Sequence, residues 1–264
     1  NFILITNTMH VTHIFFDLDR TLWDFDLNSQ KTLLDIYKEF SLKERGVKSF
    51  DIFLDHYKEI NEKLWDLYRQ DLISKDELRS KRFDLTLNKY SIKDNELASK
   101  IGDTYVSKSP LQTSLFPYTK EVLSYLKSKY SLSIITNGFE EVQHIKLKAS
   151  KLTSFFNNII TSEMVKVKKP NPIIFQYALE KANVNASNSI MIGDDLPVDI
   201  LGAKAIGISQ IYFNPKKNTW DEGKGKGKTW VTYLMRQEYL IWKKKLYGGL
   251  SFLPEVTEED KARK

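Results

Sequence analysis

Cysteine is absent from the 264 residues of this chain, which excludes disulfides, thiolate metal sites and thiol nucleophiles. Histidine is scarce. His10 and His13 lie near the first β-rich run, His56 and His144 lie in helical patterns, and no His-x-x-x-His or similar metal-binding spacing occurs. Long apolar runs are missing too, and the run at residues 2–5 is far too short for a signal peptide or a membrane span. A cytoplasmic protein with no membrane partner is therefore expected. Nor is there a chain-wide excess of one charge. The net charge is +6, but from Pro215 onward 12 Lys plus Arg stand against 7 Asp plus Glu, leaving 28 against 27 before it. The basicity belongs to the C-terminal tail, read as a solvated lysine-rich segment, and no specific nucleic-acid partner is expected.

What is present is ordinary globular material, 41% hydrophobic and 28% charged. The length allows one good core plus a smaller accessory domain. Met9 stands just before the first β-rich run, and residues 1–8 are expected to have no role in the fold. Such runs recur at residues 12–16, 131–136, 158–161, 189–192 and 209–213. HIFF, LSII and IMI are nearly continuous apolar stretches, as strands buried on both faces of a parallel sheet require. The expected fold is α/β, a doubly wound parallel sheet of Rossmann-like type.

Between the first two runs the pattern is helical almost throughout. Ile52, Phe53, Tyr57, Ile60, Leu64, Leu67 and Tyr68 recur at three- and four-residue steps. Ser74 with Glu77 predicts a capping box opening a second helix, and Asp94 caps a third. A helix starting near Thr119 leads into the second strand. The expected organisation is a discontinuous core at 1–27 and 114–215, an inserted helical domain at 28–113 and a basic tail at 216–264, with a flexible linker at 223–228.

In open α/β sheets ligands bind beyond the carboxyl ends of the strands. Asp17 and Asp19 follow the first run, Thr136, Asn137 and Gly138 the second, Lys168 and Lys169 come soon after the third, and Asp194 and Asp195 follow the fourth. Any one of these has an innocent reading as a cap, a turn or a solvated loop. Together, DxDxT followed later by GDDxxxD point to phosphoryl transfer. Hydrolysis of a phosphate monoester needs a barrier lowered by roughly 28 kcal/mol in the most accelerated cases, so several effects must combine. A carboxylate nucleophile, Asp17, splits the reaction into formation and hydrolysis of an aspartyl phosphate. Mg²⁺, with Mn²⁺ as a substitute, would keep that carboxylate from repelling the phosphate, held by Asp17, Asp194 and Asp195 and by the backbone carbonyl of Asp19. The Asp19 side chain would pass the proton to and from the reacting oxygens. Thr136 and the neighbouring amides of Asn137 and Gly138 would hold phosphoryl oxygens, Lys169 would neutralise their charge, and Asp199 would orient that lysine.

DLDRT, ITNG, the VKKP segment ending at Lys169 and Pro170, and GDDLPVD resemble, in order, the four motifs of the haloacid dehalogenase superfamily, over roughly three quarters of the chain. The insert resembles that superfamily's helical cap of the first type. TLWDF, INEKLWDLY, TNGFEEVQ and IGDDLPVDILGA are similar to its pyrimidine 5′-nucleotidases acting on noncanonical nucleotides. The resemblance implies dephosphorylation of nucleoside 5′-monophosphates or a similar small phosphate ester, with Asn61, Trp65 and Arg82 of the cap as substrate contacts and Trp23 near the loop at the mouth of the site. Position 20 departs from the pattern, being Arg where Gly, Asn or His is usual.

Within the superfamily, Asp19 argues against a dehalogenase, whereas a sugar-phosphate phosphatase or phosphomutase stays open. A phosphoacceptor signalling domain has a similar inventory but places its acidic pair at the first strand and its lysine at the last. A catalytically silent binding protein is the remaining alternative.

Overall fold

The computed structural model describes residues 11–215. Residues 1–8, the linker at 223–228 and the basic tail lie outside the described residues. Five parallel strands, β1 (His13–Phe16), β2 (Ser131–Thr136), β3 (Asn158–Thr161), β4 (Ser189–Gly193) and β5 (Ser209–Tyr212), form one sheet in the order β3-β2-β1-β4-β5. The direction of winding reverses between β1 and β4, and a crevice opens at such a reversal. Phe16 is level with Ile134 on one side and Ile192 on the other. The backbone N–H of Asp17 then donates to the carbonyl of Ile192 at 2.9 Å, so the first residue past β1 is pinned beside the end of β4.

One sheet face is packed by Phe15, Ile135, Ile160 and Met191 against Ile174, Phe175 and Ala203 from the covering helices α8 (Pro172–Ala182) and α9 (Leu201–Ala205). The apolar strand runs are thus buried on both sides, as their composition requires.

Between β1 and β2 stand α1 (Phe25–Glu39), α2 (Phe50–Arg69), α3 (Lys75–Asn88) and α4 (Asn95–Lys108). Their apolar faces make a separate cluster that includes Leu33, Ile36, Phe53, Tyr57, Phe83 and Tyr105. Each such side chain stabilises the insert by about 1.5–3 kcal/mol when fully buried. The Ser74 capping box forms as the sequence predicts, and Asp94 accepts from the N–H of Leu97 at 2.9 Å. Two residues of the α2 pattern differ from expectation. Ile52 is 53% and Leu67 36% exposed, because the buried stripe is centred on Phe53, Tyr57, Ile60 and Leu64, and its outer neighbours rotate toward solvent.

The remaining α-helices are α5 (Thr119–Lys127), α6 (Glu140–Ala149) and the short α7 (Ser162–Val165), and a π-helical turn at Leu196–Ile200, capped by Asp195, leads into α9. Among the described residues, no helix is long and apolar enough to cross a membrane.

Candidate active site

Four strand ends deliver polar side chains to one cavity of about 110 Å³. Its floor is Asp17, Thr136, Lys169, Asp194 and Asp199, and its roof comes from α2 through Asn61, Glu62, Trp65 and Arg69.

Lys169 is the centre of the floor. It is 1% exposed, and its Nζ donates to Oδ1 of Asp17 at 2.7 Å, Oδ1 of Asp199 at 2.6 Å and the carbonyl of Ile135 at 2.8 Å. Three acceptors match the three protons of an ammonium. Burial alone would drive that charge off, but Asp17 and Asp199 outweigh it and raise the Lys169 pKa above its ordinary value. The Asn137 carboxamide fixes the lysine's backbone, donating to its carbonyl at 3.0 Å and accepting from its N–H at 2.8 Å. Asn137 lines the cavity, yet its side chain is spent on Lys169 rather than pointed at a ligand.

The other carboxylates crowd together. One oxygen each from Asp17, Asp194 and Asp199 lie within 4.8 Å of one another. Burial pushes Asp17 up; Lys169 pulls it down, but Asp199 and Asp194 add negative charge, and the net direction is up. Burial first, then Asp199, raise Asp194 to about 7 against the pull of Arg20. Asp195 is raised by burial too, while the Val198 N–H it caps at 3.1 Å draws it down. These are hard oxygen donors whose repulsion a divalent cation relieves, and they fit Mg²⁺. The expected ligand set included the Asp195 side chain. The close group also contains Asp199, whose Oδ1 accepts from Lys169 and whose Oδ2 accepts from the Asp195 N–H at 3.1 Å.

Asp19 lines the same cavity, its Oδ2 accepting from Gln143 Nε2 at 2.8 Å and its Oδ1 from Lys146 Nζ at 2.6 Å. Gln143 also donates to Thr136 Oγ1 at 2.7 Å, and the Gly138 N–H donates to the same oxygen at 3.1 Å. Both lone pairs of that hydroxyl are thereby filled, so its own proton is left to be donated. A Cβ at position 138 would stand 2.1 Å from Gln143 Nε2, so only glycine leaves Gln143 where it is. The constraint is firmer at 193, where a Cβ would meet Asp199 Oδ2 at 2.3 Å and its Cβ at 2.6 Å.

The model of the haloacid dehalogenase-like hydrolase family matches residues 14–213. The chain belongs to this family. This haloacid dehalogenase-like hydrolase is 30% identical over 234 residues to the pyrimidine 5′-nucleotidase YjjG of Escherichia coli K12, covering 87% of the chain and 97% of that protein. It is 30% identical over 210 residues to the pyrimidine 5′-nucleotidase PynA of Streptococcus pneumoniae, covering 78% and 85%. Among solved structures it resembles the magnesium-bound HAD-hydrolase YfnB of Bacillus subtilis, with a TM-score of 0.72, 25% identity and coverage of 79% and 91%.

Two expectations, for Arg82 of the cap and for Trp23, differ from the structure, whereas Trp65 is found in the cavity wall. Arg82 is not among the cavity residues. It is buried inside the cap, with its guanidinium 4.7 Å from the Tyr105 ring centre, because its helix turns the apolar Phe83 face and the arginine stem together into the cap cluster. Trp23 is fully buried, donates to the Gln112 carbonyl at 3.0 Å and lies under the Lys146 ammonium, 4.4 Å from its ring centre, rather than at the surface of a loop. Trp65 lines the cavity but also stacks on Phe139 of the core, ring centres 5.5 Å apart. Gln143, Lys146, Glu62 and Arg69 escaped the sequence reading. Asn61, Trp65 and Arg69 are spaced i, i+4, i+8, so Arg69 was within reach of a helical-face argument. Gln143 and Lys146 carried no comparable signal.

Proposed function

We propose that this hydrolase is a Mg²⁺-dependent phosphatase that acts on nucleoside 5′-monophosphates, pyrimidine nucleotides foremost, through an aspartyl phosphate on Asp17. One observation carries the reading: a buried carboxylate at the end of β1 is held by one ammonium, while a second acid two residues on faces the same cavity.

Asp17 Oδ1 is fixed by Lys169, and the carboxylate attacks phosphorus as the bond to the ester oxygen breaks. Asp19, in its acid form, gives that oxygen a proton; as the resulting carboxylate it takes one from the water that hydrolyses the acyl phosphate, restoring Asp17 and releasing inorganic phosphate. Gln143 and Lys146 keep both Asp19 oxygens in place. The Thr136 hydroxyl and the Lys169 ammonium act on the phosphoryl oxygens, where charge spreads in the transition state. Asp17 and Asp194, with the Asp19 carbonyl and Asp195 alongside, would hold Mg²⁺. When bound, the ion supplies the positive charge that lets an anionic nucleophile meet an anionic phosphate.

The nucleotide preference is supported by the two nucleotidase relatives, each aligned over most of its length. It is also supported by Asn61 in the cavity wall, a buried carboxamide whose Oδ1 has no protein partner. A buried acceptor left unpaired costs about 1–3 kcal/mol, and a base N–H would satisfy it.

The test is phosphate release from a panel of nucleoside monophosphates and sugar phosphates, with Mg²⁺ and with EDTA. Pyrimidine nucleotides should turn over fastest, EDTA should stop the reaction and Mg²⁺ restore it, and Asp17→Asn should abolish it. Hydrolysis retained by Asp17→Asn sinks the mechanism, and a panel led by sugar phosphates sinks the nucleotide assignment.

A further inference from the structure

Arg20 joins the loop that carries the acids to the helix that roofs the cavity. Its backbone takes φ 64°, in the left-handed region that a side chain with a Cβ rarely adopts. The guanidinium lies in the cavity wall between α1 and α2. Nε donates to Asp26 Oδ1 at 3.0 Å, Nη2 donates to Glu62 on α2, and the plane lies 4.8 Å from the Phe25 ring centre. Arg20, Phe25 and Glu62 all line the cavity. Burial opposes the arginine's charge, yet Glu62 and Asp26 overcome this and raise its pKa further.

A second seam between cap and core runs through Trp65 and Tyr68 of α2 and the first turns of α3. There Trp65 and Tyr68 pack on Phe139, while Lys75 bonds Glu141 at 3.0 Å and Glu163 at 2.8 Å, and Arg79 bonds Glu141 at 2.9 Å. That seam is apolar and several times reinforced, whereas Arg20 reaches α2 through one ion pair, to Glu62. A cavity of about 110 Å³ holds a phosphoryl group, but it falls well below the roughly 300–1,000 Å³ of pockets that enclose larger ligands. The Arg20–Glu62 pair ties the acid-bearing loop to α2, so any movement of α2 away from the cavity floor on this side has to break it.

We propose that Arg20 is a positioning residue. Through Glu62 it sets how far Asn61, Trp65 and Arg69 close over Asp17 and Asp194, and thereby how large a leaving group the phosphatase admits. This rests on the function proposed above, so the experiment separates the two. The chain has no cysteine, and Asn61 is 2% exposed in the cavity wall. Asn61→Cys therefore creates one thiol whose labelling rate by a soluble disulfide reagent reports cap opening without any turnover. Adding Arg20→Gln or Glu62→Gln should each speed labelling about 2- to 5-fold, the span of a partly exposed ion pair. The pair of changes together should do no more than the larger single, because both remove the same bond. Arg20→Lys, which keeps the charge, should recover part of the protection.

On an otherwise unaltered chain, the two glutamine variants should raise KM for the best ester of the panel more than KM for acetyl phosphate, and do so non-additively. Labelling rates unchanged by either variant, or effects that simply add, overturn the proposal whether or not the protein hydrolyses nucleotides. Absence of phosphate release with accelerated labelling would instead refute the function and leave the latch standing.

Discussion

The Nζ of Lys169 lies 2.7 Å from Asp17 and 2.6 Å from Asp199, so one buried ammonium is shared by carboxylates that follow β1 and β4. Lys169 itself arrives from the loop after β3. Three strand ends are therefore tied by one charge.

Removing that charge has a predictable cost. Lys169→Met leaves two buried carboxylates facing each other, and breaking a buried pair in this way costs about 3–5 kcal/mol. Urea denaturation at pH 8 without metal should show a loss of that order, reduced at pH 5 where a carboxyl can take up a proton. The double variant Lys169→Met/Asp199→Asn should recover part of it. A loss under about 1 kcal/mol, within the range of an exposed pair, would mean that the ammonium is not holding the strand ends.

Gly138→Ala should disable the site by displacing a neighbour. The new Cβ would stand 2.1 Å from Gln143 Nε2, so Gln143 must leave both Asp19 and Thr136. Because well-placed acid–base groups contribute about 10²–10⁴-fold, kcat should fall at least 10-fold, with KM little changed. Gln143→Ala should reproduce the loss, and the double variant should equal either single. Independent, multiplying effects would show that the glycine acts by some other route.

His13 predicts a stability change in mild acid. It is buried under the sheet's amino end against Ser133 Oγ at 3.0 Å, and burial lowers its pKa from 6.5 to about 4. The folded protein thus holds this proton less tightly than the unfolded chain. The stability it contributes is complete above pH 6.5 and is lost as pH falls from there toward 4, amounting to about 3 kcal/mol at most. Denaturation midpoints of the wild type and His13→Gln should converge over that window. Parallel curves would show that the imidazole titrates normally.

Much of this molecule could be read before it was seen folded. The strands are legible because a sheet covered on both faces demands runs such as HIFF, LSII and IMI, and parallel pairing leaves them few other places. The Ser74 and Asp94 caps are equally legible, since a cap is a contact between residues three apart. Asp17, Asp194 and Lys169 could be selected because strand ends converge wherever such a sheet forms. Arg82 and Trp23 show where that reasoning stops. Each has the right chemistry in the right segment, but rotation about a helix axis or a hydrogen bond across 89 residues turns its polar group to another use.

The linear order of residues was enough to establish a parallel α/β core, a helical insert and an acid-rich crevice, because these follow from local periodicity and the few ways strands can wind. It could not establish which side chain meets which. That Gln143 and Lys146 hold Asp19, that Glu62 meets Arg20 and that Asp199 joins the acid cluster depends on packing between elements 42 to 182 residues apart in sequence. Such distances close only when the buried faces of the sheet and the cap settle on one arrangement, so the crevice is written in the chain and its wiring in the fold.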